Sequence, residues 1–238
     1  MAITNNRKIQ YVAFDADDTL WAHESMFQEA HQTYKSNLAH YISVQDLEKK
    51  LYEFEIKNIK HFGYGVKGFV LSMIETAIEI TQGSVTASEI QQIINLGKWM
   101  LDHPIDVLPH VEATLKDLKE DYVLMIITKG DLFDQETKIA RSGLAEHFEW
   151  IEIVSEKNED SYQKILTAHS ILPDEVVMIG NSLRSDILPM RKLGCEAIHI
   201  PFHVTWVHEE VTAEQLDGIK YHHLSDISLV PDFIRQLG

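Results

Sequence analysis

The chain is poor in cysteine: Cys195 is the single one among 238 residues. An internal disulfide framework and a multi-cysteine zinc site are excluded at once. No apolar run approaches the ~18 residues that a bilayer-spanning helix needs, and residues 1–10 hold no leader-like apolar segment. With no disulfides and no leader, the expected location is the cytoplasm. Positive charge is also short, with 21 Lys and Arg against 37 Asp and Glu, a formal net charge of −16. Such a field repels nucleic acid and anionic membranes, so neither is an expected partner. It repels an anionic substrate too. A site for one needs local positive charge, from a metal or a placed lysine. The 13 histidines show no HExxH or similar ligand spacing, and only His222 and His223 are adjacent, so they read as surface or packing residues. No internal repeat and no low-complexity segment occurs.

What is present is ordinary globular material: 45% hydrophobic and 24% charged residues. The length fits one large domain, or one domain with a sizeable insert. Short, near-continuous apolar runs lie at 10–14 (QYVAF), 122–127 (YVLMII), 150–154 (WIEIV), 175–179 (EVVMI) and 196–200 (EAIHI). Strands buried on both faces of a parallel sheet look like this. Helical spacing fills the intervals. Val111, Leu115 and Leu118 precede the second run. The segment 132–142 follows it and stops at Gly143. Asp160 or Ser161 can cap a helix bearing Tyr162, Ile165 and Leu166, and 187–193 precede Gly194. Alternation of strands and helices predicts an α/β fold with a doubly wound, Rossmann-like parallel sheet. The stretch 22–104 breaks the alternation and reads as all helix, with a Thr86/Glu89 capping box. It is expected to form an inserted helical cap domain, leaving 1–21 and 105–238 as the core, with Asp102-His103-Pro104 as a hinge.

Ligands of open parallel sheets bind beyond the carboxyl ends of the strands. Here those ends read Asp15-Ala16-Asp17-Asp18-Thr19, Thr128-Lys129-Gly130-Asp131, Ser155-Glu156-Lys157 and Gly180 through Asp186. Carboxylates converging on one point need a cation, and oxygen-only ligands suit Mg²⁺. Asp15 and Asp186 are the expected side-chain ligands. Asn181 is placed to hold a metal-bound water. Asp186 is also a good N-cap for the helix that follows. The arrangement suits nucleophilic catalysis by a carboxylate. Asp15 would attack phosphorus, and Asp17 would protonate the leaving oxygen and then deprotonate water. Thr128 and the N–H groups that follow, beginning with Lys129, would bind phosphate. Lys157 would offset charge, with Lys164 as the second candidate.

FDADDTLW (14–21), IITKGD (126–131), the lysine of VSEKNED (154–160) and GNSLRSDI (180–187) together resemble the haloacid dehalogenase-like (HAD) hydrolase superfamily. The resemblance spans residues 11–200 and takes that superfamily's four motifs in order. It implies a C1-type cap after the first motif. It also implies Asp15 as nucleophile, Asp17 as acid/base, and Mg²⁺ held by Asp15, the backbone carbonyl of Asp17 and Asp186. The true dehalogenases of the superfamily lack an acid at the position of Asp17, because halide leaves without a proton. Asp17 thus points to a phosphatase acting on a small phosphorylated metabolite. Asn181 is a departure, since many members carry aspartate there.

Two other enzyme or signalling readings compete. One is 2-haloacid dehalogenation by the same nucleophile, which Asp17 opposes. The other is a receiver-like or non-catalytic phosphate-binding protein, which the long insert opposes. Residues 63–68 match GxGxxG, but no strand precedes them, so they are expected to break two cap helices. Lys57, Lys60, His61 and Lys67 cluster there. Cys195 is expected to be a buried small hydrophobe. The Trp206-Val207-His208-Glu209 stretch has no assigned place, and the sequence leaves the oligomeric state open.

Overall fold

Alternate residues of each apolar run face opposite sides of the sheet they build. A computed structural model describes residues 8–237. Residues 1–7, part of the 1–10 stretch read above as lacking a leader, and Gly238 lie outside the described residues. The strands are β1 (Tyr11–Phe14), β2 (Val123–Lys129), β3 (Trp150–Val154), β4 (Val176–Gly180), β5 (Glu196–His199) and β6 (His222–His223). They form one six-stranded sheet in the order β3-β2-β1-β4-β5-β6, and every pairing is parallel. Phe14 aligns with Ile126 on one side and Ile179 on the other. β1 therefore stands at the centre, where the order of connection reverses. That is where an open parallel sheet leaves a crevice at its carboxyl ends.

Burial on both faces explains the unbroken apolar runs. One face takes Val12, Phe14, Leu124, Ile126, Val177 and Ile179. It packs against Val111, Leu115 and Leu118 of α5 (Val111–Lys119) and against Val230 and Ile234 of the C-terminal helix Val230–Leu237. The other face takes Ala13, Met125, Ile127, Val176 and Met178. It packs against Tyr162, Ile165 and Leu166 of α7 (Glu159–Ala168), Met190 of α8 (Leu188–Lys192) and Cys195. Cys195 is fully buried, and burial pushes its thiol up to about 12. Between β2 and β3 runs α6 (Leu132–Ser142).

The interval after β1 holds four helices, α1 (Glu24–Leu38), α2 (Val44–Phe62), α3 (Val66–Ile80) and α4 (Ala87–Asp102). They share their own core of Tyr34, Leu38, Leu47, Leu51, Phe69, Met73, Ile93 and Met100. Thr86 and Glu89 form the expected capping box of α4. Gly63 and Gly65, both at positive φ, turn the chain between α2 and α3. By contact density the chain divides into two units: residues up to 24 with 105–129 and from 136 on, and residues 25–104 with 130–135. Among the described residues no helix is long and apolar enough to cross a membrane.

Two local expectations need correction. The cap of α7 is Asn158, whose side chain accepts from Ser161 N, and not Asp160 or Ser161. The helix expected at 187–193 is preceded by a π-helical turn, Leu183–Ile187, capped by Ser182. Asp186 lies inside that turn, so it is not the N-cap. His222 and His223, read as surface or packing residues, lie in the short edge strand β6, with His223 exposed and His222 packed against Phe233.

Candidate active site

The carboxyl ends of β1, β2 and β4, with the loop after β3, bring the charged residues together. Asp15 is the first residue beyond β1, and its N–H donates to Ile179 O at 2.9 Å, so the backbone holds it in line with the sheet. Lys157 lies just before the cap of α7. Its ammonium donates to Asp15 Oδ1 at 2.5 Å and Asp186 Oδ1 at 2.7 Å. The three side chains are buried, with Asp186 fully so. Lys164 is 75% exposed and pairs with Asp160 on the surface.

The other oxygens of the pair are also engaged. Thr19 Oγ1 lies 3.3 Å from both Asp15 Oδ2 and Asn181 Oδ1, and accepts from Asn181 N at 3.1 Å. Asp186 Oδ2 accepts from Ser182 N at 2.9 Å. A Cβ at Gly180 would overlap the Asp186 carboxyl, so the glycine makes room for that carboxylate. Thr128 is buried at the end of β2. The Lys129 ammonium turns to Ser185 Oγ at 2.9 Å, to Glu209 and, at 3.9 Å, to Glu156.

Burial, and then the charge of Asp186, push the Asp15 carboxyl well above the carboxylate range, against the opposing pull of Lys157. Burial alone would lower Lys157, yet the two carboxylates hold it well above its ordinary value. Two buried carboxylates share one ammonium, so negative charge is under-compensated. A hard divalent cation among these oxygens would correct that deficit, and the donor set fits magnesium. Among the described residues no group of three or more His, Cys, Asp or Glu side chains is arranged to hold a metal. Backbone carbonyls and waters would therefore complete the sphere, as magnesium commonly permits.

Asp17 is not alone either. Lys138 Nζ donates to its two oxygens at 2.7 and 2.8 Å, and Trp21 Nε1 donates to Oδ1 at 2.7 Å. His23 Nε2 lies 3.7 Å from Oδ2. Asp18, at positive φ, accepts from the N–H groups of His23 and Glu24 and so anchors the start of α1. Burial raises its carboxyl to about 7, against the opposing pull of those two N–H groups. Lys138, Trp21, Asp18, Ser182, Ser185 and Glu209 were not singled out as site residues in the sequence. Asp18 and Trp21 at least lie within the first motif, and Ser182 and Ser185 within the fourth. Lys138 sits in an amphipathic helix and nothing in its spacing marks it.

With this geometry in view, residues 9–194 match the haloacid dehalogenase-like hydrolase family. The chain is 39% identical to a haloacid dehalogenase-like family hydrolase of Xanthomonas campestris, whose crystal structure covers 98% of this chain and 93% of its own, with a TM-score of 0.87. It is 26% identical over 201 residues to a glyceraldehyde 3-phosphate phosphatase of Pyrococcus furiosus, covering 81% of this chain and 80% of that one. The L-2-haloacid dehalogenase of Xanthobacter autotrophicus is 14% identical with a TM-score of 0.64, covers 97% of this chain and 100% of its own, and shares the fold.

Proposed function

Because the chain belongs to the haloacid dehalogenase-like hydrolase family, we propose that it hydrolyses a small phosphate monoester with Asp15 as nucleophile and Asp17 as acid/base. The observation that carries this reading is the Lys157 ammonium lying between the Asp15 and Asp186 carboxylates at the sheet's carboxyl end. An Asp15 oxygen attacks phosphorus and the ester P–O bond breaks, giving an aspartyl-phosphate. The departing alkoxide takes its proton from Asp17. Asp17 then takes a proton from the water that attacks the same phosphorus. Inorganic phosphate leaves and Asp15 is restored.

Phosphoryl transfer asks the protein mainly for position and charge. Thr128 and the backbone N–H of Lys129 serve the phosphate oxygens, and Lys157 offsets charge on them. The carboxylates of Asp15 and Asp186 and the backbone carbonyl of Asp17 would hold Mg²⁺, with Asn181 bonding a bound water. When bound, the ion supplies positive charge beside the phosphoryl oxygens. The helices at 22–104 form a C1-type cap domain in this reading. The glyceraldehyde 3-phosphate phosphatases among the relatives make three-carbon sugar phosphates the first substrates to try.

The test is a phosphatase screen of the purified protein against phosphorylated metabolites, with Mg²⁺ and with EDTA. Phosphate release is expected with Mg²⁺ and not with EDTA. Asp15→Asn is expected to cost at least about a thousandfold in turnover with an unchanged circular dichroism spectrum. A folded variant that keeps near-normal rates removes Asp15 as the nucleophile.

A further inference from the structure

Beyond β5 the chain runs through residues 200–212 with one short turn, Val207–Glu209. A glutamate there would ordinarily be a solvated surface charge. Glu209 is not: its side chain is 12% exposed, and both oxygens are taken. Oε1 pairs with the Lys129 ammonium. Oε2 accepts from Ser182 Oγ and Ser185 Oγ, each at 2.5 Å. One residue earlier, the His208 carbonyl accepts from Arg184 at 2.5 Å.

These partners surround Asp186. Ser182 Oγ also accepts from Ser185 N at 3.0 Å, and Ser182 N donates to Asp186 Oδ2. The Ser185 carbonyl accepts from the buried Tyr162 hydroxyl at 3.0 Å. Glu209 thus grips the hydroxyls at both ends of the Ser182–Ser185 segment, and ties it through Lys129 to the end of β2. Lys129 is held in the same act, which turns its ammonium to Glu209. An acid waiting for substrate would keep an oxygen free; this one spends both on the protein.

We infer that Glu209 is a positioning residue: it clamps the π-helical turn that aims the Asp186 carboxylate, and it holds the Lys129 side chain as its counter-ion. The inference rests on the proposed role of Asp186 in holding Mg²⁺. Groups that orient metal ligands typically change metal affinity by about 10- to 100-fold when removed.

The test titrates MgCl₂ into resting, substrate-free protein by calorimetry, for wild type, Glu209→Gln, Glu209→Ala, Lys129→Met and the Glu209→Gln/Lys129→Met pair. Affinity is expected to fall by about 10- to 100-fold in each single variant, with the double variant no worse than the weaker single one. In turnover assays kcat is expected to fall with KM nearly unchanged. Should Glu209→Ala fail to fold, Ser185→Ala removes one hydroxyl of the clamp, keeps the ion pair, and is expected to weaken binding in the same sense. Wild-type affinity in folded Glu209→Ala overturns the inference. So does a Lys129→Met variant that raises KM alone, because Lys129 would then face substrate. A wild-type protein that binds no Mg²⁺ overturns both this inference and the metal assignment. Turnover that survives Asp15→Asn overturns the nucleophile alone and is read separately from the calorimetry.

Discussion

Lys157 and Lys164 are seven positions apart and live in different electrostatic worlds. One has a 2% exposed side chain between two carboxylates; the other is 75% exposed beside Asp160. Removing one partner of a buried ion group leaves the rest uncompensated, whereas exposed pairs are screened. Lys157→Met is therefore expected to lose at least about a hundredfold in kcat and to lower the urea midpoint. Lys164→Met should match wild type in both, and equal losses in the two variants would contradict the assignment. The sequence left these lysines as alternatives because each lies near the same strand end. Only the turn that Asn158 starts decides which one points inward. The acids were more legible. Asp15 and Asp186 could be named because a carboxylate at the end of a buried apolar strand has little other reason to be there. The partners of Asp17 could not. Lys138 reaches Asp17 from 121 positions away, and no local pattern encodes that contact.

Among the elements, α7 links packing to chemistry most directly. Its cap follows Lys157 immediately, and Asn158 and Ser161 satisfy each other's backbone N–H groups. Asn158→Ala should cost about 1 kcal/mol in urea denaturation. It should also lower kcat, since the residue before the cap loses its fixed direction. Thr86→Ala removes the cap of α4 at a similar cost and serves as the control, with stability falling and kcat unchanged. Element types were legible where periodicity was strong: all five apolar runs are strands, and 132–142 is a helix to the residue. Boundaries failed where one polar residue substitutes for another as cap. The π-helical turn at Leu183–Ile187 was invisible for a different reason. It is five residues long, too short to show a period of its own in the sequence. Residues 200–212 carry almost no periodicity, so their attachment through Glu209 could not be foreseen.

At the scale of the whole molecule, the buried charges make stability depend on pH. Burial alone would raise Glu209, but Lys129 and the two serine hydroxyls more than reverse this and hold it down to about 2. A carboxyl with a depressed folded pKa stabilises the native state fully above its ordinary value near 4.5. That contribution, of order 3 kcal/mol, is lost as pH falls from there toward about 2. Urea midpoints measured from pH 7 to pH 2.5 should thus fall more steeply for wild type than for Glu209→Gln. Parallel curves would show that the ion pair adds nothing to the fold. The parallel sheet has another outcome, in time instead of energy. β1 bonds only to β2 and β4, and its partners there begin at Val123 and Val176. A ribosome making this chain delivers the central strand first and its second neighbour only after about three-quarters of the polypeptide exists. For about the first half of its own synthesis, the strand that leads into Asp15 has nothing to pair with, and the helices encoded next are the ones that can begin to organise.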